Sequence, residues 1–242
     1  MAMPAAFVPR NIDEAYAVQD AFVSIKAQAC GALAGHKIAL TTPQMRALVG
    51  LGAPIAGHLH ARQVVRGPAS VRALDYGRLL VEFELAVHLA ADLPFGHAPY
   101  SIDQVAAAVG AVMPAFELAD DRGADYATLA TRGLELAADN AWNEGVVLGE
   151  PVTDWRHLDL AAVRGVASIN GNAVGEGRGA DSMGHPFAAL AWVANHLAHR
   201  ASTLRRGDIV ITGSLVTSKF PRPGDRLRFE AQGLGAVELR VT

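Results

Sequence analysis

The stretch "LLVEFELAVHLAADLP", residues 79–94, decides how the fold is read. Val81, Phe83, Leu85, Val87 and Leu89 alternate as the apolar side of a β-strand does. The other side of the same strand carries Glu82 and Glu84 in an otherwise apolar neighbourhood. Residues i and i+2 of a strand project to one face with Cα atoms ~6.5–7 Å apart, so two carboxylates can reach one point between them. Burying an ionised carboxylate without compensation costs several kcal/mol, so this face either meets solvent or holds arginines, water or a cation. A hard divalent ion such as Mg²⁺ or Mn²⁺ takes oxygen ligands and relieves both repulsion and burial, in which case a third acid is expected on a neighbouring element. His88 lies on the same nominal face but ~13 Å along the strand from Glu84, the spacing of an ordinary polar or core histidine.

Outward from this strand the chain is a succession of short elements. Residues 11–33 read as a helix, with Ala15, Val18, Phe22 and Ile25 at three- and four-residue steps and Asn11 as cap. "HKIALT" is strand-like, a helical turn spans Pro43 to Val49, and residues 50–70 read as loop with short strands. Helices are expected near 101–109, over 125–140 and over 186–201, with strands at "AVMPAFELA" and "EGVVLG". Asn170-Gly171 joins two alternating runs as a type I′ hairpin would, and "GDIVITGSLVTS" and "GDRLRFEAQGLGAVELRV" read as strands joined by Gly-Asp turns. A strand-rich end without intervening helices argues against a regular parallel α/β sheet and for an α+β domain around a mixed, rolled sheet.

The totals agree with a soluble globule: of 242 residues 51% are hydrophobic and 19% charged, and a chain of this size buries roughly 70–75% of its unfolded surface. Apolar runs are interrupted before the ~18 residues of a membrane span. Residues 1–9 are apolar but short and follow no Lys or Arg, so export is not indicated. Cys30 is the lone cysteine, compatible with a reducing cytoplasm, and the dispersed net charge of -3 offers no grip for nucleic acid.

Two further segments are candidates for chemistry. Lys37, in "GHKIALTTPQM", is either a solvated strand-end lysine or an ammonium placed over a carboxylate or enolate. "GRGADSMGHP" has the glycines of an anion loop without a phosphate-binding lysine or strand-to-helix context, and is expected to be a mobile surface loop. No Gly-x-Ser-x-Gly pattern marks an esterase.

In order, "GHKIALT", "PIAGHL", "VEFELAVHLAADLP", "PAFELADDR", "ADNAWNEGVVLG", "GHPFAALAWVANHL" and "GDIVITGSL" resemble the 2-keto-4-pentenoate hydratase group of the fumarylacetoacetate hydrolase superfamily, from about residue 12 to the C-terminus. The resemblance implies a mixed β roll, or barrel, with peripheral helices: one catalytic domain over residues 1–242, with 1–60 a helical N-terminal portion packed on the β core. It implies a Mg²⁺ or Mn²⁺ site on Glu82, Glu84 and Glu117, and a catalytic Lys37 that neutralises the substrate carboxylate or enolate. His36, Thr41, Thr42, Trp142, Ser214 and Thr217 match substrate-lining positions, the last two serving equally well as turn-stabilising residues. A 2-hydroxy-2,4-dienoate, or its 2-oxo tautomer, would be chelated through C1 carboxylate and C2 oxygen and hydrated to a 4-hydroxy-2-oxoalkanoate. The same electron sink serves an oxalocrotonate-type decarboxylase, the second reading. Hydrolytic carbon–carbon cleavage of an acylpyruvate is third, and a non-catalytic metal- or 2-oxoacid-binding subunit is the reading of another class. Two departures bear on this choice: Gly52 stands where hydratases of the group often have an acid, and Trp142 where they often have a serine. The resemblance further implies a cytoplasmic homo-oligomer in aromatic-compound degradation, possible partners including a related decarboxylase or hydratase.

Overall fold

Capping residues set where the helices begin. In the computed structural model, which describes residues 3–242, Asn11 accepts the Glu14 amide and opens α1 (Ile12–Cys30), which stops at Gly31, φ 83°. β1 (Leu33–Ala39) leads into α2 (Pro43–Val49), capped by Thr42 and begun by its proline. β2 (Ile55–His60), β3 (Val64–Arg66) and β4 (Ala69–Val71) come from the punctuated stretch, followed by β5 (Leu79–Leu89), which carries the two acids. α3 (Ile102–Ala108) starts with a Ser101–Gln104 capping box and runs into β6 (Val109–Asp120). Then come α4 (Gly133–Ala138), β7 (Asn143–Leu148), β8 (Arg164–Ile169), β9 (Asn172–Arg178), α5 (Pro186–His199), β10 (Ile209–Lys219), β11 (Arg226–Ala231) and β12 (Gly235–Val241). Asn170 and Gly171 both have positive φ, 53° and 82°, as the β8–β9 hairpin requires.

The strands form two mixed sheets, a seven-stranded one in the order β2-β1-β10-β5-β6-β7-β3 and a five-stranded one in the order β4-β12-β11-β8-β9. The larger sheet curls into a roll without closing, since β2 and β3 remain its edges. β5 sits at its centre, antiparallel to both β10 and β6. One face of β5, with Val81, Phe83, Leu85 and Val87, packs outward toward the second sheet: Phe83 meets Phe229 of β11 edge-on at 5.8 Å, and Phe116 of β6 beside it at 5.5 Å. The opposite face looks into the roll, whose floor is the apolar cluster of Leu59, Ala86, Ala111, Met113, Ala115, Val146, Leu148, Ile209 and Ile211. Residues 1–60 thus supply not only α1 and α2 but also β1 and β2 of the larger sheet. Among the described residues no helix is long and apolar enough to cross a membrane.

Two local expectations change. The helix over 125–140 is broken into a 3-10 turn at Tyr126–Thr131 and the short α4, because Arg132 is non-helical (φ -120°, ψ 15°) and Gly133 is pressed against α2's end. A Cβ at Gly133 would lie 2.5 Å from both Val49 O and Leu51 Cγ. "GRGADSMGHP" is not a mobile surface loop: Gly179 and Ser182 are buried, and Ser182 Oγ donates to the Thr212 carbonyl of β10.

Candidate metal centre

Strand pairing gathers the acids. Glu82 stands directly opposite Glu117 of β6, and Glu84 opposite Ala115, so three carboxylates from adjacent strands share the inner face of the roll. One oxygen from each of Glu82, Glu84 and Glu117 lies within 4.8 Å of the others. Glu84 and Glu117 are 0% exposed, while Glu82 is half-buried at the mouth. Lys37 comes from β1 on the far side of β10, and its Nζ lies 2.9 Å from Glu117 Oε1.

Each carboxylate is held by neighbours that leave part of it free. Gly213 N–H donates to Glu84 Oε2 at 2.6 Å, Asn143 Nδ2 to Glu117 Oε1 at 2.8 Å, and Ser218 Oγ to Glu82 Oε1 at 3.2 Å. Glu84 Oε1 and Glu117 Oε2 are buried without a hydrogen-bond partner. Burial, reinforced by Glu117 and Glu82, pushes the Glu84 carboxyl well above the ordinary carboxylate range. Burial also raises Glu117 against the opposing pull of Lys37. Burial alone would lower Lys37, but Glu117, Glu82 and Glu84 outweigh it and hold the ammonium above the usual lysine range.

Two orphaned carboxylate oxygens among three converging acids are what a hard divalent cation fits, and three carboxylates balance one ammonium plus one such ion. Glu82, Glu84 and Glu117 could therefore hold Mg²⁺ or Mn²⁺, leaving coordination positions for water or substrate oxygens.

The remaining expected residues divide. Thr41 packs on the bulge that presents Gly213 N–H: a Cβ at Gly213, φ +99°, would come within 2.5 Å of Thr41 Cγ2. Thr42 caps α2, its Oγ1 accepting the Met45 amide. Trp142, φ 62°, precedes Asn143 and meets the Tyr126 ring edge-on at 6.4 Å. Three expected residues do not turn their side chains to the acids, although Ser214 pairs with Glu84 across β10 and β5. His36 alternates to the opposite face of β1 from Lys37, its ring 4.9 Å from that of His58. Ser214 Oγ is taken up in the β10 bulge, accepting from Phe83 N–H and donating to Val216 O. Thr217 is exposed. His88 stays half-buried at the other end of the roll, in a cleft with Arg66 and Thr153.

Asn143, Gly213 and Ser218 are absent from the expected set. Glycine inside the strand pattern "VITGS" was a legible sign of a bulge or close backbone approach, and Asn143 a polar residue opening an apolar strand. Ser218 carries no comparable sign.

Comparison with known proteins identifies the family. The model of the C-terminal fumarylacetoacetate (FAA) hydrolase domain matches residues 28–242. The chain is 29% identical to a 2-keto-4-pentenoate hydratase of Paraburkholderia xenovorans (strain LB400), covering 96% of this chain and 84% of that protein. It is 31% identical to a 4-oxalocrotonate decarboxylase of Pseudomonas putida, covering 94% and 84%. Among solved structures, the 4-oxalocrotonate decarboxylase of Pseudomonas putida G7, complexed with magnesium and adipate, superposes with a TM-score of 0.86 at 29% identity, covering 96% of this chain and 86% of that one.

Proposed function

This chain belongs to the fumarylacetoacetate hydrolase family, and from that premise we propose that it is a metal-dependent lyase. It adds water to a short 2-hydroxy-2,4-dienoate, or the 2-oxo-4-enoate tautomer, to give a 4-hydroxy-2-oxoalkanoate. The observation that carries the reading is the buried meeting of Glu82, Glu84 and Glu117 beside Lys37, with two carboxylate oxygens left over. Hydratases among the relatives support it.

Glu82, Glu84 and Glu117 would hold Mg²⁺ or Mn²⁺, which would supply Lewis acidity toward a 2-oxoacid. The three acids favour the ammonium form of Lys37, which puts a positive charge at Nζ beside the site. Glu117 and Asn143 fix where that charge sits, through the shared Oε1. A Cβ at Gly52 would meet nothing within 4 Å, so no side chain fills the place of the expected acid, and the base that takes the proton from water is a group other than residue 52 or the Lys37 ammonium.

The second reading, decarboxylation of an oxalocrotonate, is favoured by the structural match to the P. putida G7 decarboxylase and by the same bare Gly52. Purified protein with Mg²⁺ or Mn²⁺, assayed on a 2-hydroxydienoate and on an oxalocrotonate by ultraviolet loss and CO₂ release, separates the two. Dienoate loss without CO₂ is the expected result. Metal and oxalate binding without turnover would instead mark a non-catalytic subunit, and absence of metal binding would overturn both enzymatic readings. The reading includes a cytoplasmic homo-oligomer in aromatic-compound breakdown, for which the relatives' activities are the support.

A further inference from the structure

β2 is an edge strand, yet its outer backbone is not bare. Where a further strand would pair, the Asn140 carboxamide accepts from His58 N–H at 2.7 Å and donates through Nδ2 to His58 O at 2.9 Å. The side chain is fully buried, and its Oδ1 reaches over Gly57, which pairs in register with Lys37. A Cβ on Gly57 would lie 2.8 Å from Asn140 Oδ1 and 3.0 Å from Lys37 Cγ and Cδ, so the asparagine, the bare glycine and the lysine stem form one contact layer.

Along the chain, Asn140 opens a run of three consecutive non-glycine residues with positive φ: 53° at Asn140, 47° at Ala141 and 62° at Trp142. Such conformations persist only where surrounding contacts over-determine them. The next residue is Asn143, which donates to the same Glu117 oxygen that pairs with Lys37. Asn140 is therefore in contact with one partner of Glu117 through Gly57 and with the other through the backbone.

We infer that Asn140 is a positioning residue: by clamping the His58 backbone it sets both the Lys37 stem and the Asn143 carboxamide on Glu117. The role rests on the reading of Lys37 as the catalytic group. The molecule contains its own control, because Asn195 makes the same pair of bonds, accepting from Tyr100 N–H at 2.7 Å and donating to Tyr100 O at 3.0 Å, on α5.

The test compares Asn140→Ala with Asn195→Ala in the full chain, reading kcat and KM on a 2-hydroxydienoate, Mn²⁺ affinity by EPR titration, and Tm. Both variants lose Tm. Asn140→Ala is expected to lose kcat ~10–100-fold with KM within about 3-fold, as misplacement of a catalytic group does, and to weaken Mn²⁺ at least about 3-fold. Asn195→Ala is expected to change neither beyond about 2-fold. If Asn140→Ala does not fold, Asn140→Asp, which keeps the bond from His58 N–H and loses the other, takes its place. A kcat within about 2-fold of the Asn195→Ala value overturns the inference. Should the wild-type protein fail to turn over, the lyase reading falls, and the Mn²⁺ comparison alone decides Asn140 by the same margin.

Discussion

Lys37 and Glu117 differ from every other ion pair described in being almost wholly out of water, with side chains 3% and 1% exposed. Removing one partner strands the other, yet the metal ligands do not include the lysine. Lys37→Met is accordingly expected to lower kcat by ~10²–10⁴-fold while Mn²⁺ still binds, checked by steady-state rates beside an EPR titration. Gly213 is the converse case, a backbone position whose change reaches the acids. Gly213→Ala places a Cβ on Thr41 and Ser182 at φ +99°, so a loss of ~1–3 kcal/mol in urea unfolding is expected together with weakened Mn²⁺ binding. Trp142 sits on the strained turn beside Asn143. Trp142→Asn keeps a side chain that tolerates the left-handed region while removing the ring from Tyr126, and is expected to cost ~1–3 kcal/mol in urea unfolding. These side chains were unequally legible. Glu82 and Glu84 announce themselves because an acid pair on one face of an apolar strand needs an explanation. His36, expected beside the substrate by resemblance, alternates to the face of β1 opposite Lys37 and meets His58.

At the scale of elements, the face of β1 and β2 that turns away from the acids meets α1 and α5 through histidines. His36 and His58 lie ring to ring, and His196 of α5 stacks on Trp192 at 5.0 Å and tilts against Tyr16 of α1 at 4.6 Å, with the Asp20–Arg200 ion pair beside them. Burial chiefly holds all three imidazoles below the usual histidine range, His36 at about 3 and His58 and His196 at about 4, with like-charged His58 and Arg200 assisting and Asp20 opposing. Between pH 4 and 6.5 the unfolded chain therefore takes up protons that the folded chain refuses. Stability is complete above the ordinary histidine value and falls as pH drops toward the folded values, by at most about 1.4 kcal/mol per pH unit for each histidine. Thermal melts at pH 7.5 and 5 should show the loss, and the His58→Gln, His196→Gln double variant should flatten it. Periodicity in the sequence located the spans of α1 and α5 well, but it chose the wrong stripe of α1: Val18 and Ile25 are exposed, and Ala15, Tyr16, Gln19 and Val23 form the buried face. It overextended the 125–140 helix, because the interruption at Gly133 comes from α2 pressing on it, a contact between distant parts of the chain that no local pattern carries.

For the whole molecule, an ion bound only by the folded chain raises its stability. Mn²⁺ at 100 times its dissociation constant is expected to add about 2.7 kcal/mol to unfolding, and chelation to remove it, measurable as a shift in Tm. Rolled-sheet architecture was legible in the strand-rich end and the mixed order of elements, whereas the division into seven- and five-stranded sheets was not, since it depends on which edges meet. The centre of the molecule is β5, whose Phe83 fills the outer core and whose neighbour Glu84 faces inward. Sliding this strand by a single residue against β6 would exchange the two sides, thrusting carboxylates among phenylalanines and aromatic rings among the ligands. A chain joined out of step would leave Glu117 as the sole acid of the three inside the roll, so grip on an ion reports correct pairing of β5.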